Sequence, residues 1–307
     1  MVLIKPDPDK VHYRFLRYWL NSPMLANHVN GNREGSVAER LNLPIIRALP
    51  ILVPPLSRQQ TIAAILGALD DKIELNRRMN ATLEAMARAI FTSWFVDFDP
   101  VRAKMEGRQP FGMDAATAAL FPDSLAPSSI GDIPSGWKVS SIGKIVEFAY
   151  GKALKAGVRR HGAVPVYGSN GQVGWHDEVL AKGPGIVVGR KGNAGTVTWV
   201  PNDFFPIDTT FYIVPRGPIQ NMYYLFYALS ILELASLGAD SAVPGLNRNI
   251  AYMTEMLIPS LEIIGAFEEN VAPLLAQVRV NVEEIRVLSA IRDALLPKLL
   301  SGEIRVA

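Results

Sequence analysis

Slid against itself, the chain aligns at one ungapped offset of 205 residues, over about residues 41–102. This internal repeat constrains the fold more than any other feature. Leu41 and Asn42 meet Leu246 and Asn247, and Pro54 meets Pro259. A heptad seam then aligns with its own copy: Leu66 with Val271, Leu69 with Leu274, Ile73 with Val278, Asn76 with Asn281, Leu83 with Leu288, Ile90 with Leu295 and Trp94 with Leu299. Steps of three and four sustained over about four heptads are what a coiled-coil seam requires, and a polar residue repeated in it, Asn76 and Asn281, fixes register at some cost in stability. Two copies of one long helix predict a pseudo-twofold antiparallel pair. Two ordinary amphipathic helices in a bundle would give the same periodicity.

The first helix has a readable start: Pro54 and Pro55, then Ser57 and Gln60 in capping-box spacing. It is expected over residues 57–95, a rod of roughly 57 Å at 1.5 Å per residue. Its partner is expected over residues 260–307, with Pro273 kinking it early and Pro297 near its end. Residues 96–132, with Asp97, Asp99, Pro100, Gly107, Pro110, Pro122 and Pro127, read as a long irregular linker. Residues 133–259 change to β-branched and aromatic runs punctuated by Gly, at 164–167, 186–188, 196–200 and 209–214, which predict strands. A helix is expected over 221–237, with Tyr224, Phe226, Tyr227 and Leu229 available to the sheet. The expected fold class is therefore α+β: a β-rich globular domain plus two long paired helices. Residues 1–56 read as the tail of a second such domain, since 2–6 resembles 212–215 and 13–20 resembles 223–229 at an offset near 210. About 75 residues of the second copy have no counterpart in the first.

Zero Cys excludes disulfides, thiolate metal sites and a cysteine nucleophile, and fits a reducing compartment. His12, His28, His161 and His176 lack metal-ligand spacing, so no metal is expected. Neither a phosphate-binding loop, a zincin helix, a serine-nucleophile elbow nor an amino-methyltransferase motif is present, which argues against catalysis. Gly183-Pro184-Gly185 imitates a dinucleotide fingerprint, but an apolar strand-like run follows where a helix should begin, so it reads as turn glycines. The N-terminus carries no export signal, and Arg47, Pro50, Pro54 and Pro55 interrupt the most apolar stretch, so a soluble cytoplasmic chain is expected.

Lys and Arg total 31 against 29 Asp and Glu, so only local charge is informative. Residues 151–191 hold seven bases (Lys152, Lys155, Arg159, Arg160, Lys182, Arg190, Lys191) against Asp177 and Glu178. Residues 192–260 hold Arg216 and Arg248 against five acids. Polar side chains among the bases, Ser169, Asn170, Gln172, His176 and Asn193, suit base edges and phosphates. A solvated charged face with turn-forming Gly and Asn would give the same pattern.

Several runs in fixed order carry a resemblance over nearly the whole chain. They are Ile133-Pro-Ser-Gly-Trp137, Val166-Tyr-Gly-Ser-Asn-Gly-Gln-Val-Gly-Trp175, Gly185-Ile-Val-Val-Gly-Arg-Lys-Gly-Asn-Ala-Gly195 and Asp208-Thr-Thr-Phe-Tyr212, with the proline-led helix from Pro54 and the run Phe95-Val-Asp-Phe-Asp-Pro-Val-Arg102. The chain resembles the specificity (S) subunits of type I restriction-modification systems, with residues 133–259 as a complete target recognition domain and 1–56 as the remnant of another. The resemblance implies a non-catalytic subunit reading double-stranded DNA. Methyltransferase (M) subunits would supply S-adenosylmethionine chemistry on adenine, and restriction (R) subunits ATP- and Mg-dependent translocation and cleavage, with no cofactor on this chain. The seam would hold recognition domains apart and dock M subunits. The departure is the short first domain, expected as a truncation, or completed by another S chain or an upstream fragment.

On this resemblance Lys152, Lys155, Arg159, Arg160 and Lys191 are candidates for phosphates, and Ser169, Asn170, His176, Arg190 and Asn193 for base edges or sugar–phosphate. Ser169-Asn170-Gly171 would also serve as a plain turn, and Arg190 could instead pair with Asp177 or Glu178. Tyr167, Trp175 and Trp199 are expected in the core. The competing readings are a coiled-coil adaptor or relic that reads no DNA, and an enzyme using the glycine-rich run.

Overall fold

The computed structural model describes residues 3–30, 43–238 and 245–306. In chain order the elements are α1 (Tyr13–Leu20), α2 (Pro23–Asn30), α3 (Leu43–Arg47), α4 (Leu56–Phe95), α5 (Asp99–Met105), α6 (Ala115–Leu120), β1 (Leu125–Ser128), β2 (Gly131–Pro134), β3 (Lys138–Ser141), α7 (Ile142–Ile145), β4 (Val146–Tyr150), β5 (Val164–Gly168), β6 (Gly171–His176), β7 (Gly185–Gly189), β8 (Val197–Val200), β9 (Phe205–Pro206), β10 (Thr210–Pro215), α8 (Met222–Ser230), α9 (Arg248–Met253), β11 (Glu255–Ile258) and α10 (Leu261–Ser301). The chain divides into two compact units, Met1–Thr82 with Gln277–Ala307 and Leu83–Ala276. Leu41 and Asn42 of the repeat lie outside the described residues.

In the first unit Phe15, Tyr18 and Trp19 of α1 pack with Ile62, Ala63 and Leu66 of α4 and Leu296, Leu299 and Leu300 of α10. Residue numbers fall on α4 as they rise on α10: Asp70 meets Arg292 at 2.9 Å, Asn76 meets Glu284 at 2.8 Å and Asn80 meets Asn281 at 2.8 Å. The pairing is antiparallel. Asn76 and Asn281 are both buried, yet each reaches a different partner rather than the other. Leu69, Val278, Leu288 and Leu295 are half-buried and Ile73 is buried beside them.

Ser57 does not cap α4, because the helix starts one residue earlier, at Leu56. Ser57 already lies in the first turn, where its carbonyl accepts from the Thr61 hydroxyl at 3.1 Å. Gln59, fully buried, secures this end instead. Its Nε2 donates to the carbonyls of Pro54 (2.8 Å) and Lys10 (2.9 Å), and its Oε1 accepts from the His12 backbone N–H (2.8 Å). Residues 3–6 form no strand, unlike the 212–215 segment they resemble in sequence, because among the described residues no strand lies beside them to complete a ladder. The α1 helix occupies the place that α8 holds in the second copy.

In the second unit an aromatic cluster joins the end of α4 to the start of α10. Phe91, Trp94 and Phe95 surround Phe267 at 5.7, 6.1 and 5.3 Å between ring centroids, with Tyr224 of α8 at 5.1 Å from Phe95. Val271 is buried, and Leu83, Ile90 and Leu274 are half-buried. The α10 helix runs through Pro273 and Pro297 to Ser301. The expected irregular linker is ordered into α5, α6 and the β1–β2 hairpin. Its signals are local: Asp114 caps α6 by accepting from Thr117 N–H at 2.9 Å, and Phe121 slots edge-on against Trp94 at 5.2 Å. The helix expected over 221–237 stops at Ser230 and resumes as a short 3₁₀ turn, Leu234–Gly238.

The β-rich part holds an antiparallel sheet in the order β4-β10-β7-β8 and a second sheet in the order β6-β5-β9, with β5 and β9 parallel. The β7 strand is buried at every position, which explains its unbroken apolar run. A further pair, β3 with β11, closes the domain beside α10. The architecture is α+β.

Candidate nucleic-acid interface

The candidate DNA-contact residues all lie in the second unit, His176 at the end of β6 and the rest on the segments that follow β4, β5 and β7. Gly189 closes β7 where the chain folds tightly back. A Cβ there would stand 2.0 Å from the Asn193 carbonyl oxygen and 3.5 Å from Ser169 Cβ, so only glycine permits the approach. Gly195 (φ 79°) completes the loop, its N–H bonded to the Gly189 carbonyl at 2.8 Å. The structure thus brings the β5–β6 turn, with Ser169 and Asn170, against the loop of Arg190, Lys191 and Asn193. The Ser169 hydroxyl donates to Asn170 Oδ1 at 3.4 Å, and Asn170 and Asn193 are exposed.

Three candidates are committed elsewhere. His176 is 3% exposed. Its Nδ1 accepts from the Arg160 backbone N–H at 3.1 Å and its ring stands edge-on to Phe205 at 5.4 Å, so it is a core residue and not a reader of base edges. Arg160 Nε donates to Asp177 Oδ2 at 2.7 Å, with Glu178 at 3.6 Å from its Nη2. That hydrogen bond holds the Asp177 carboxyl below the usual range and raises the guanidinium. Arg160, rather than Arg190, therefore neutralises these acids. Arg159 Nη1 donates to the Val173 carbonyl at 2.6 Å, strapping β6.

Lys152 and Lys155 are exposed and, among the described residues, make no ion pair. The Lys152 backbone N–H donates to the Pro206 carbonyl at 3.1 Å, which fixes its stem beside β9. Lys182 is paired with Asp203 at 2.8 Å, a bond that holds the Asp203 carboxyl low.

Arg190 and Lys191 open onto a cleft of about 430 Å³ whose other walls include Tyr150, Asn247, Arg248 and Asn249. The Arg190 guanidinium lies 5.2 Å and that of Arg248 4.8 Å from the Tyr150 ring centroid. The backbone N–H groups of Arg190 and Lys191 both donate to the Thr209 carbonyl, at 2.9 and 3.1 Å, so the β10 entry sets this corner. Sequence reasoning missed Tyr150 and Arg248. Arg248 falls in a stretch whose summed charge is acidic, and folding removes it from those acids and places it beside Arg190.

Of the aromatic residues expected in the core, Tyr167 packs on the Ala181–Phe204 cluster and burial raises its hydroxyl pKa. Trp199 stacks on Tyr223 at 4.9 Å. Trp175 instead is 50% exposed, because β6 is an edge strand whose outer face nothing covers among the described residues. No helix among the described residues is long and apolar enough to cross a membrane, and no cluster of three His, Asp or Glu there could hold a metal ion.

The family described as "Type I restriction modification DNA specificity domain" matches residues 1–85 and 134–263. The chain is 26% identical to the type I restriction enzyme HindI specificity subunit of Haemophilus influenzae, over 99% of this chain and 80% of that one. It is 25% identical to the MjaIX specificity subunit of Methanocaldococcus jannaschii, over 97% of this chain and 70% of that one. The crystal structure of a type I restriction-modification S subunit from M. genitalium superposes with a TM-score of 0.59 at 18% identity, covering 95% of this chain and 74% of that one. Matched over more than half its length, the chain belongs to the type I restriction-modification DNA specificity family.

Proposed function

We propose that this chain is the DNA-reading subunit of a type I restriction-modification complex, itself non-catalytic, which directs adenine methylation and restriction by partner subunits. The observation that carries this reading is the match of one DNA-specificity family to two stretches of the chain, 1–85 and 134–263, each of which ends within one copy of the internal repeat. The polar and basic loops at the strand ends of the second unit supply a chemically suitable surface for duplex DNA. In this reading the chain carries no cofactor; S-adenosylmethionine, ATP and Mg belong to the M and R subunits, and the complex works in the cytoplasm.

Docking of M subunits is supported by the outward faces of the helical pair in the first unit. Ile65, Leu75, Met79, Val280, Val287 and Ile291 are all exposed there, large apolar side chains that a partner surface would cover. The test is co-expression with a methyltransferase subunit, co-purification, and methylome sequencing of the cells. A methylated adenine motif that disappears when this chain is deleted is expected. Stable assembly without any methylated motif would overturn DNA reading and leave a helical adaptor.

A further inference from the structure

The end of β4, the loop after β7 and the start of α9 converge on the Tyr150 ring. Arg190 and Arg248 both stack on it, at 5.2 and 4.8 Å. Arg248 also lies 5.7 Å from the Tyr252 ring, and the Tyr252 hydroxyl accepts from the Phe148 backbone N–H at 3.0 Å, which ties this second ring to the strand that carries Tyr150. Lys191 completes the cleft through its bridge to Gly245. Among the described residues none of the three cations makes an ion pair. In the same domain Arg160, Lys182 and Arg216 each have a carboxylate oxygen at 2.7–2.8 Å.

Two like charges drawn to one ring repel each other, and a nearby anion relieves that repulsion. Stacking orients each guanidinium plane and leaves N–H groups for a planar two-point contact with an oxyanion. The Arg248 Nε is buried without an acceptor, so the side chain is held by the rings rather than by a competing hydrogen bond. We propose that Tyr150, Arg190, Lys191 and Arg248 form a clamp for a backbone phosphodiester of duplex DNA, which supplies grip rather than sequence choice. This assignment rests on the DNA-reading function proposed above, and of the two roles open to Arg190, base edge or sugar–phosphate, it takes the phosphate.

The test is a salt titration of binding between the full-length chain and two unrelated duplexes. Each lost phosphate contact lowers the slope of log affinity against log salt by about 0.9. Arg190→Gln and Arg248→Gln are each expected to lower the slope by about one, and to weaken both duplexes by the same factor. Arg248→Lys keeps the charge and is expected to keep the slope. Lys182→Ala removes a base already paired with Asp203 and is expected to change nothing. Thermal midpoints exclude misfolding; if Arg248→Gln fails to fold, Arg190→Gln with Arg248→Lys carries the comparison. Unchanged slopes in folded variants would overturn the clamp alone, and unequal losses on the two duplexes would overturn it in favour of base reading. A wild-type chain that binds neither duplex would overturn the DNA-reading function itself.

Discussion

Asn281 donates through Nδ2 to Asn80 Oδ1 across the helical pair at 2.8 Å, and Gln277 Nε2 donates to Asn281 Oδ1 at the same distance. Asn281 is 2% exposed and Asn80 is buried as well, so the bond between them lies out of reach of water. Asn281→Ala should therefore cost about 1–3 kcal/mol, because it strands the buried Asn80 Oδ1. Urea unfolding would show a lower midpoint. Replacing Asn76, Asn80 and Asn281 together by Leu should raise the midpoint while loosening register, detectable as more than one helix pairing in cross-linking.

Asp70 predicts the acid limit of the first unit. Burial alone would raise its carboxyl pKa, but hydrogen bonds from the Tyr18 hydroxyl (2.7 Å) and Arg292 (2.9 Å) outweigh that and hold it below the usual value. A depressed folded pKa contributes stability above the unfolded value near 3.9, lost as pH falls through the folded one. Asp70→Asn should lose about 1–3 kcal/mol at neutral pH. Its midpoint should also fall less steeply than wild type below about pH 4.

Gln59→Leu removes three hydrogen bonds, two that fix residues 10–12 to the start of α4 and one to the Pro54 carbonyl just before it. The expected cost is about 1–3 kcal/mol, from buried groups left unpaired. Amide exchange at His12 should accelerate while the aromatic cluster around Phe267 keeps its protection.

Gly189→Ala sets a methyl against the Asn193 carbonyl, which is backbone and cannot swing away. The loop of Arg190 to Asn193 must shift, at about 1–3 kcal/mol for an overpacked site. DNA affinity should fall more than thermal stability does. An affinity equal to wild type would show that this loop stays clear of the duplex.

Phe267→Ala empties the centre of the aromatic cluster, where the side chain is fully buried. The expected loss is about 3–5 kcal/mol, read as an earlier unfolding transition in the second unit.

The helical pair is legible because a heptad writes its partner face locally: the spacing that sets Leu66, Ile73, Asn76 and Trp94 on one buried face can be read without knowing what covers them. The buried strands β5, β7 and β10 were legible for the same reason, each being an apolar run bounded by turn residues. What escaped was set by tertiary pairing. The β3 and β11 strands form only against each other, Val139 opposite Leu257, and neither has a strong pattern of its own. The linker hides α6 because its one signal, the Asp114 cap on Thr117, is a single short-range contact set among prolines and glycines. In the site, residues were chosen by type and proximity in sequence, which selected His176 although it is interior and missed Tyr150 and Arg248, which meet only on folding.

The ring of Tyr150 stands at the end of a strand, whereas Ser169, Asn170 and Asn193 stand on turns. The ring that seats Arg190 and Arg248 therefore belongs to a different element from those turn residues. If the clamp proposed above grips the backbone while these turns read bases, holding the double helix and choosing its letters reside on separate parts of one surface, and lineages can rewrite the address without first rebuilding the hold.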